Sequence, residues 1–207
     1  MTCQAPDFPP KPGRISLVGA GPGAADLLTI RALRALQTAD VVLHDRLVSP
    51  EVLDLIPATT PRIAVGKEVG ANAWPQARVT AQMLTEAMAG RHVVRLKSGD
   101  PALFGRAAEE IASARALGLA IDIVPGITAA TAAAASLCRP LTTRGVAQRL
   151  ILSTVTDETD GAVALSLPSG TTLALYMGTR KLAAIETSLL ASGADPQTEV
   201  TAICHAS

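Results

Sequence analysis

Short apolar runs alternate with helically spaced apolar stripes from residue 15 to residue 137. Ile15, Leu17 and Val18 form the first run. Gly19-Ala20-Gly21-Pro22-Gly23 breaks it, and Leu28, Ala32, Leu33 and Leu36 then share one helical face. Further strands are expected at residues 41–43, 63–65, 92–96 and 121–124, with helices at 49–56, between Pro75 and Gly90, at 107–117 and through Leu137. Ser49-Pro50-Glu51 has the form of an N-cap, a proline in the first turn and an acid near the positive helix end. This alternation predicts a parallel sheet covered on both faces, with ligand chemistry at the carboxyl ends of its strands. Gly21 to Gly23, Asp45-Arg46, Gly66-Lys67, Ser98 to Asp100 and Gly126 to Thr128 all follow strand runs and are expected to share that rim.

Beyond Leu137 the pattern is sparser. Residues 140–144 read as a connector, 148–153 and 171–177 as strands, 154–161 as a polar loop, 181–191 as a helix and 199–204 as a closing strand. Five strands are already spent before this half begins. The expected organisation is therefore a loose arm at residues 1–13, an N-terminal α/β domain at 14–126 and a C-terminal α/β domain at 127–207.

Composition narrows the chemistry. The 207 residues are 48% hydrophobic but only 2% aromatic, so base stacking is not expected. Eighteen basic and 18 acidic residues cancel, and no global field favours nucleic acid or an anionic membrane. An anionic ligand has to be held by local arginines and lysines. Cys3, Cys138 and Cys204 are widely spaced, form no C-x-x-C and suit a reduced, cytoplasmic setting; no metal site is expected. The opening MTCQAPDFPPKPG is polar and proline-rich, without the form of a signal peptide, and no apolar run reaches the 18 or so residues of a membrane span.

The glycine turn after the first strand does not fit dinucleotide binding. Pro22 lies within it and Ala24 occupies the sixth position of the G-x-G-x-x-G frame, so the loop brings main chain near a different ligand.

Taken in order, the blocks LVGAGPGAADLLTIRALRALQTADVVLHDRLVSPEVL, VGK at 65–67, VVRLKSGDPALFGRAAEE at 93–110, VPGITAATAA at 124–133, PLTTRG at 140–145 and LYMG at 175–178 resemble the tetrapyrrole methylase family, and within it the uroporphyrinogen-III C-methyltransferases. The resemblance covers nearly all of residues 14–207. It implies two α/β domains of the non-Rossmann methyltransferase type, a homodimer, S-adenosylmethionine in an inter-domain cleft, and methylation of uroporphyrinogen III at C2 and C7 to precorrin-2. Pro22, Ser98, Gly99, Asp100, Leu103, Thr128, Ala129, Met177 and Ala206 match the family's cofactor-binding positions. Asp45 resembles its proposed proton acceptor, Lys67 its proton donor, and Arg106 a second candidate base. The normal pKa of Arg106, above about 12, suits a carboxylate clamp better. Arg46, Arg106, Glu109 and Arg144 correspond to substrate-binding positions.

The chain also departs from the family pattern. Ser98 stands where glycine is favoured, Glu68 where arginine is common, and Asn72 and Thr143 where histidine is frequent; Val155-Thr156 replaces a Gly-His pair, and Ser207 falls short of the family's last strands. Two other readings therefore stand beside the first. One is a methylase of the same fold acting on a later corrin intermediate, an RNA or a protein. The other is a paralogue that binds its ligands without turnover.

Overall fold

The computed structural model of the chain describes residues 11–66, 74–155 and 164–204. Most of the N-terminal arm, Cys3, Lys67, the loop at 68–73 with Asn72, the polar loop from Thr156 to Gly161 and Ala206 lie outside the described residues. The chain divides into two compact units, the first ending at Thr128 and the second beginning at Ala129.

The first unit is a five-stranded sheet between two helical layers. Its elements are β1 (Arg14–Gly19), α1 (Ile30–Gln37), β2 (Val41–His44), α2 (Pro50–Leu53), β3 (Arg62–Ala64), α3 (Gln76–Met88), β4 (His92–Lys97), α4 (Ala107–Ala116) and β5 (Ala120–Val124). All pairings are parallel and the spatial order is β3-β2-β4-β1-β5. Period-two alternation assigns the side chains to faces. Ile15, Leu17, Val41, Leu43 and Val93 pack with Val79, Met83 and Ala114 of α3 and α4. Val18, Val42, Val94 and Leu96 pack with Ala32 and Leu36 of α1 and Val52 of α2. Each fully buried Leu or Val here contributes about 1.5–3 kcal/mol relative to an exposed one.

Caps set the helix entries as the residue types dictate. Thr29 accepts from the Ala32 N–H at 3.1 Å and Ser49 from the Val52 N–H at 3.3 Å. The helix expected at 49–56 is a single α-turn, Pro50–Leu53, continued by turn structure to Ile56.

The second unit contains α5 (Ala129–Ser136), the parallel pair β6 (Arg149–Thr154) and β7 (Thr171–Tyr176), and α6 (Leu182–Ala191). The expected closing strand is corrected: residues 199–204 form no strand. Among the described residues nothing pairs with them in a ladder, and the Glu199 carboxylate instead takes both Nη groups of Arg139 just after α5, one at 2.9 Å.

Candidate active site

Chain direction marks the place for a ligand in the first sheet. From β2 the chain moves outward to β3, while from β4 it crosses to β5, so the connections part between the carboxyl ends of β2 and β4. In open α/β sheets that divergence leaves a crevice. Asp45 and Arg46 stand on one side of it, Ser98 to Asp100 on the other. The Asp45 N–H donates to the Leu96 carbonyl at 3.2 Å, which keeps the two strand ends joined there.

The floor beside this crevice is main chain. A Cβ on Gly126 would lie 2.1 Å from the Gly99 carbonyl oxygen, and one on Gly19 would lie 2.6 Å from Gly126 Cα. Only glycine permits that approach. Gly99 itself has φ 69°, and a Cβ there would meet nothing within 4 Å. Gly21 and Gly99 exchange backbone hydrogen bonds of 3.2 and 2.7 Å, fixing the glycine turn against the end of β4.

Asp100, expected at a cofactor-binding position, also has a structural part. Its Oδ1 accepts from the Ala102 N–H at 2.7 Å and its Oδ2 from the Gly126 N–H at 3.0 Å. The carboxylate thus ties the loop after β4 to the loop after β5, and further ligand contacts must use its remaining lone pairs.

Below the rim, the face of β4 that meets α3 and α4 changes character. It begins with Val93 and continues, at the same period, with Arg95 and Lys97, which are 3% and 4% exposed. Glu110 of α4 faces them and is fully buried. Lys97 Nζ donates to both Glu110 oxygens at 3.0 and 2.9 Å, Arg95 Nε donates to Oε1 at 3.2 Å, and Gln76 Nε2 of α3 donates to the same oxygen at 3.1 Å. Arg95 then links β4 to the end of β2: Nη1 donates to the Leu43 and Leu96 carbonyls at 3.4 and 3.2 Å, and Nη2 to Asp45 Oδ1. Burial, with Arg95 adding to it, pushes the Lys97 ammonium below the ordinary lysine value of 10.5 against the opposing pull of Glu110 and Asp45.

The turn into α4 is strained. Phe104 and Arg106, neither of them glycine, have φ of 52° and 55°, a conformation that costs energy and clusters at functional sites. Gly105 lies between them because a Cβ there would come 2.7 Å from the Pro101 carbonyl oxygen. Arg106 and Glu109 are expected as separate substrate contacts, yet they face each other. Nε and Nη2 of Arg106 donate to the two Glu109 oxygens at 2.8 and 2.9 Å. The hydrogen-bonded guanidinium holds the exposed Glu109 carboxyl below the usual carboxylate range.

The other expected positions distribute as follows. Arg46 is exposed, and its backbone packs so closely on Gly66 that a Cβ at 66 would come within 2.7 Å of it. Pro22, Ser98, Leu103 and Thr128 are half-buried in the first unit. In the second unit, Ala129 begins α5 and Arg144 is exposed in a turn closed by the Thr143–Ala147 bridge. Met177 follows β7 at φ 59° and is exposed. Lys67 and Ala206 lie outside the described residues.

Arg95, Lys97 and Glu110 are absent from the sequence expectations, although VVRLK carries a signal for them. A strand covered on both faces cannot solvate two cations at alternate positions, so an acid on the covering helix is required, and the pair Glu109-Glu110 supplies it. Among the described residues no group of three or more His, Cys, Asp or Glu side chains could hold a metal ion, and no helix is long and apolar enough to cross a membrane.

Comparison with known proteins gives a consistent relationship. The family model described as Tetrapyrrole (Corrin/Porphyrin) Methylases matches residues 14–207. Over 194 residues the chain is 47% identical to a siroheme synthase of Tolumonas auensis, spanning 92% of this chain and 42% of that protein. Over 199 residues it is 47% identical to a uroporphyrinogen-III C-methyltransferase of Paracoccus denitrificans, spanning 94% and 69%. Among solved structures, the uroporphyrin-III C-methyl transferase from Thermus thermophilus complexed with S-adenyl homocysteine matches with a TM-score of 0.76 at 39% identity, covering 89% of this chain and 79% of that one. The chain thus spans less than half the length of the siroheme synthase it matches.

Proposed function

This chain belongs to the tetrapyrrole (corrin/porphyrin) methylases, and from that premise we propose that it transfers methyl groups from S-adenosylmethionine to C2 and C7 of uroporphyrinogen III, giving precorrin-2. The observation that carries the reading is the crevice between β2 and β4, where a carboxylate, Asp45, stands across from a glycine-built main-chain surface at Ser98 to Asp100. The open space at Gly99 and the close-packed glycines beside it fit a ligand that needs backbone donors and acceptors, as a nucleoside with an amino-acid tail does.

When bound, S-adenosylmethionine supplies an electrophilic methyl group on a positively charged sulfur. Attack by an electron-rich ring carbon leaves the tetrapyrrole with a positive charge, which loss of a ring proton discharges, so positioning and one base carry the work. We assign the base to Asp45 and a proton-donor role to Lys67. Arg46, Arg106 and Arg144 grip the acetate and propionate arms, their planar forks matching carboxylates in pairs. Glu109 keeps the Arg106 fork oriented through their bidentate pair. Pro22, Ser98, Gly99, Asp100, Leu103 and Thr128 of the first unit, with Ala129, Met177 and Ala206 of the second, hold the cofactor. This assigns the two units to the two domains of the family, working as a homodimer. Exposed free Cys138 and Cys204 accord with a reducing cytoplasmic setting.

Anaerobic incubation of the protein with uroporphyrinogen III and S-adenosylmethionine tests the reading. Precorrin-2, detected after oxidation as sirohydrochlorin, is the expected product. Tight binding of both ligands without product would favour a non-catalytic paralogue, and product only from a later corrin intermediate would move the substrate along the ring series.

A further inference from the structure

The buried charges on one face of β4 have no part in methyl transfer as assigned, and their position is costly. Ion pairs removed from water often contribute less than apolar residues of equal size. A core needing only stability would continue the Val93 layer upward. Instead the layer becomes ionic within two residues of the rim, and its outermost member is the candidate base. Arg95 makes contact in three directions: back to Glu110, sideways to carbonyls of β2 and β4, and outward to Asp45 Oδ1. Glu110 is itself fixed by Lys97 and Gln76. The Asp45 side chain remains one-third exposed while its partner guanidinium is 3% exposed. The arrangement is a rigid plate behind a carboxylate that faces the crevice.

We propose that Arg95, braced by Glu110, is a positioning residue for the proton-accepting carboxylate of Asp45, holding Oδ1 so that Oδ2 meets the substrate between β2 and β4. This rests on the assignment of Asp45 as the base in the proposed methylation. Lysine cannot replace Arg95 here, because a single ammonium cannot face Glu110, two carbonyls and Asp45 at once.

A double-mutant cycle reads the coupling. Arg95→Lys should lower kcat roughly tenfold or more while leaving KM and S-adenosylhomocysteine affinity by calorimetry within about twofold of wild type, since a misplaced base affects the transition state alone. In the Asp45→Asn background the same change should cost almost nothing further. Losses that multiply in the double variant, or a defect confined to KM, would overturn the proposal. Nitrogen-15 NMR of the ligand-free wild type supplies an arm that needs neither turnover nor an Arg95 variant. Resolved, slowly exchanging Arg95 guanidinium protons are expected, with the Nη2 pair released to fast exchange in Asp45→Ala, which leaves no side-chain oxygen to accept from it. Fast exchange already in the wild type would show that Arg95 holds nothing. Should the wild type make no precorrin-2, the functional reading fails, while the NMR arm still decides whether Arg95 fixes Asp45.

Discussion

The two faces of the first sheet solve the same burial problem differently. Toward α1 and α2, β4 presents Val94 and Leu96, both fully buried among apolar neighbours, above a buried His92 at the strand's start whose ring is hydrogen-bonded to Ser16 and to the Thr38 carbonyl. Toward α3 and α4 it presents Val93, then Arg95 and Lys97, so the layer is apolar at the base and ionic near the rim. Both faces exclude water, and only one of them leads to a carboxylate in the crevice. The α1/α2 face is apolar where it nears the rim, while the α3/α4 face is ionic there and gives up some stability to hold a functional group.

The largest expected effect removes the anion at the centre of the ionic layer. Glu110→Ala leaves two buried cations short of their partner and should destabilise by about 3–5 kcal/mol, measured by denaturant unfolding. Converting the whole set, with Arg95→Met, Lys97→Met and Glu110→Leu together, should leave stability near or above wild type yet depress kcat. If the triple variant kept full activity, the contrast between the faces would be one of packing only.

Next come paired substitutions, one for each face. Leu36→Ala in α1 should cost about 2–5 kcal/mol of stability through its cavity, with kcat unaltered below the melting temperature. Asp45→Asn should weigh mainly on turnover, lowering kcat by roughly 10²-fold or more, with a smaller loss of unfolding free energy than Glu110→Ala because its carboxylate is one-third exposed. Arg106→Lys sharpens the distinction at the rim. It keeps charge but loses the two-pronged grip, so KM should rise several-fold with kcat nearly unchanged. A collapse of kcat instead would make Arg106 the base.

The smallest effect is a pH dependence of stability. The folded-state pKa of Lys97 lies below its ordinary 10.5. Between the two values the unfolded chain binds more protons than the folded one, so this group makes stability rise with pH on the approach to 10.5 and weighs against folding below that window. Lys97→Met should flatten that alkaline limb of the unfolding free energy. An unchanged slope would mean that Lys97 ionises as freely in the fold as outside it.

The sheet is legible in the sequence because its strands are short apolar runs ending in glycine or charge, and because capping residues such as Ser49 act locally. The positions of Asp45 and of Ser98 to Asp100 at strand ends follow from the same pattern. What each carboxylate does is not local. Asp45 directly precedes Arg46 in sequence but pairs with Arg95, 50 positions away, and Asp100 bonds the amide of Gly126, 26 positions away. The burial of Lys97 is equally non-local, since it depends on Glu110 of a helix 13 positions on. The strand expected at 199–204 fails for a related reason: alternation offers an edge, but a strand forms only where another strand is there to accept it.

The glycine floor at Gly19, Gly99 and Gly126 has an evolutionary consequence. A side chain at Gly19 or Gly126 would collide with main chain, and Gly99 holds a φ of 69° that disfavours one, so these three positions have little freedom to vary. Divergence in what the crevice accepts is therefore channelled into the loops bearing Arg46 and Arg106, which can be exchanged without disturbing the floor. A library that randomises those loops while keeping the three glycines should retain folded, cofactor-binding members, whereas one that admits alanine at Gly126 should lose them first.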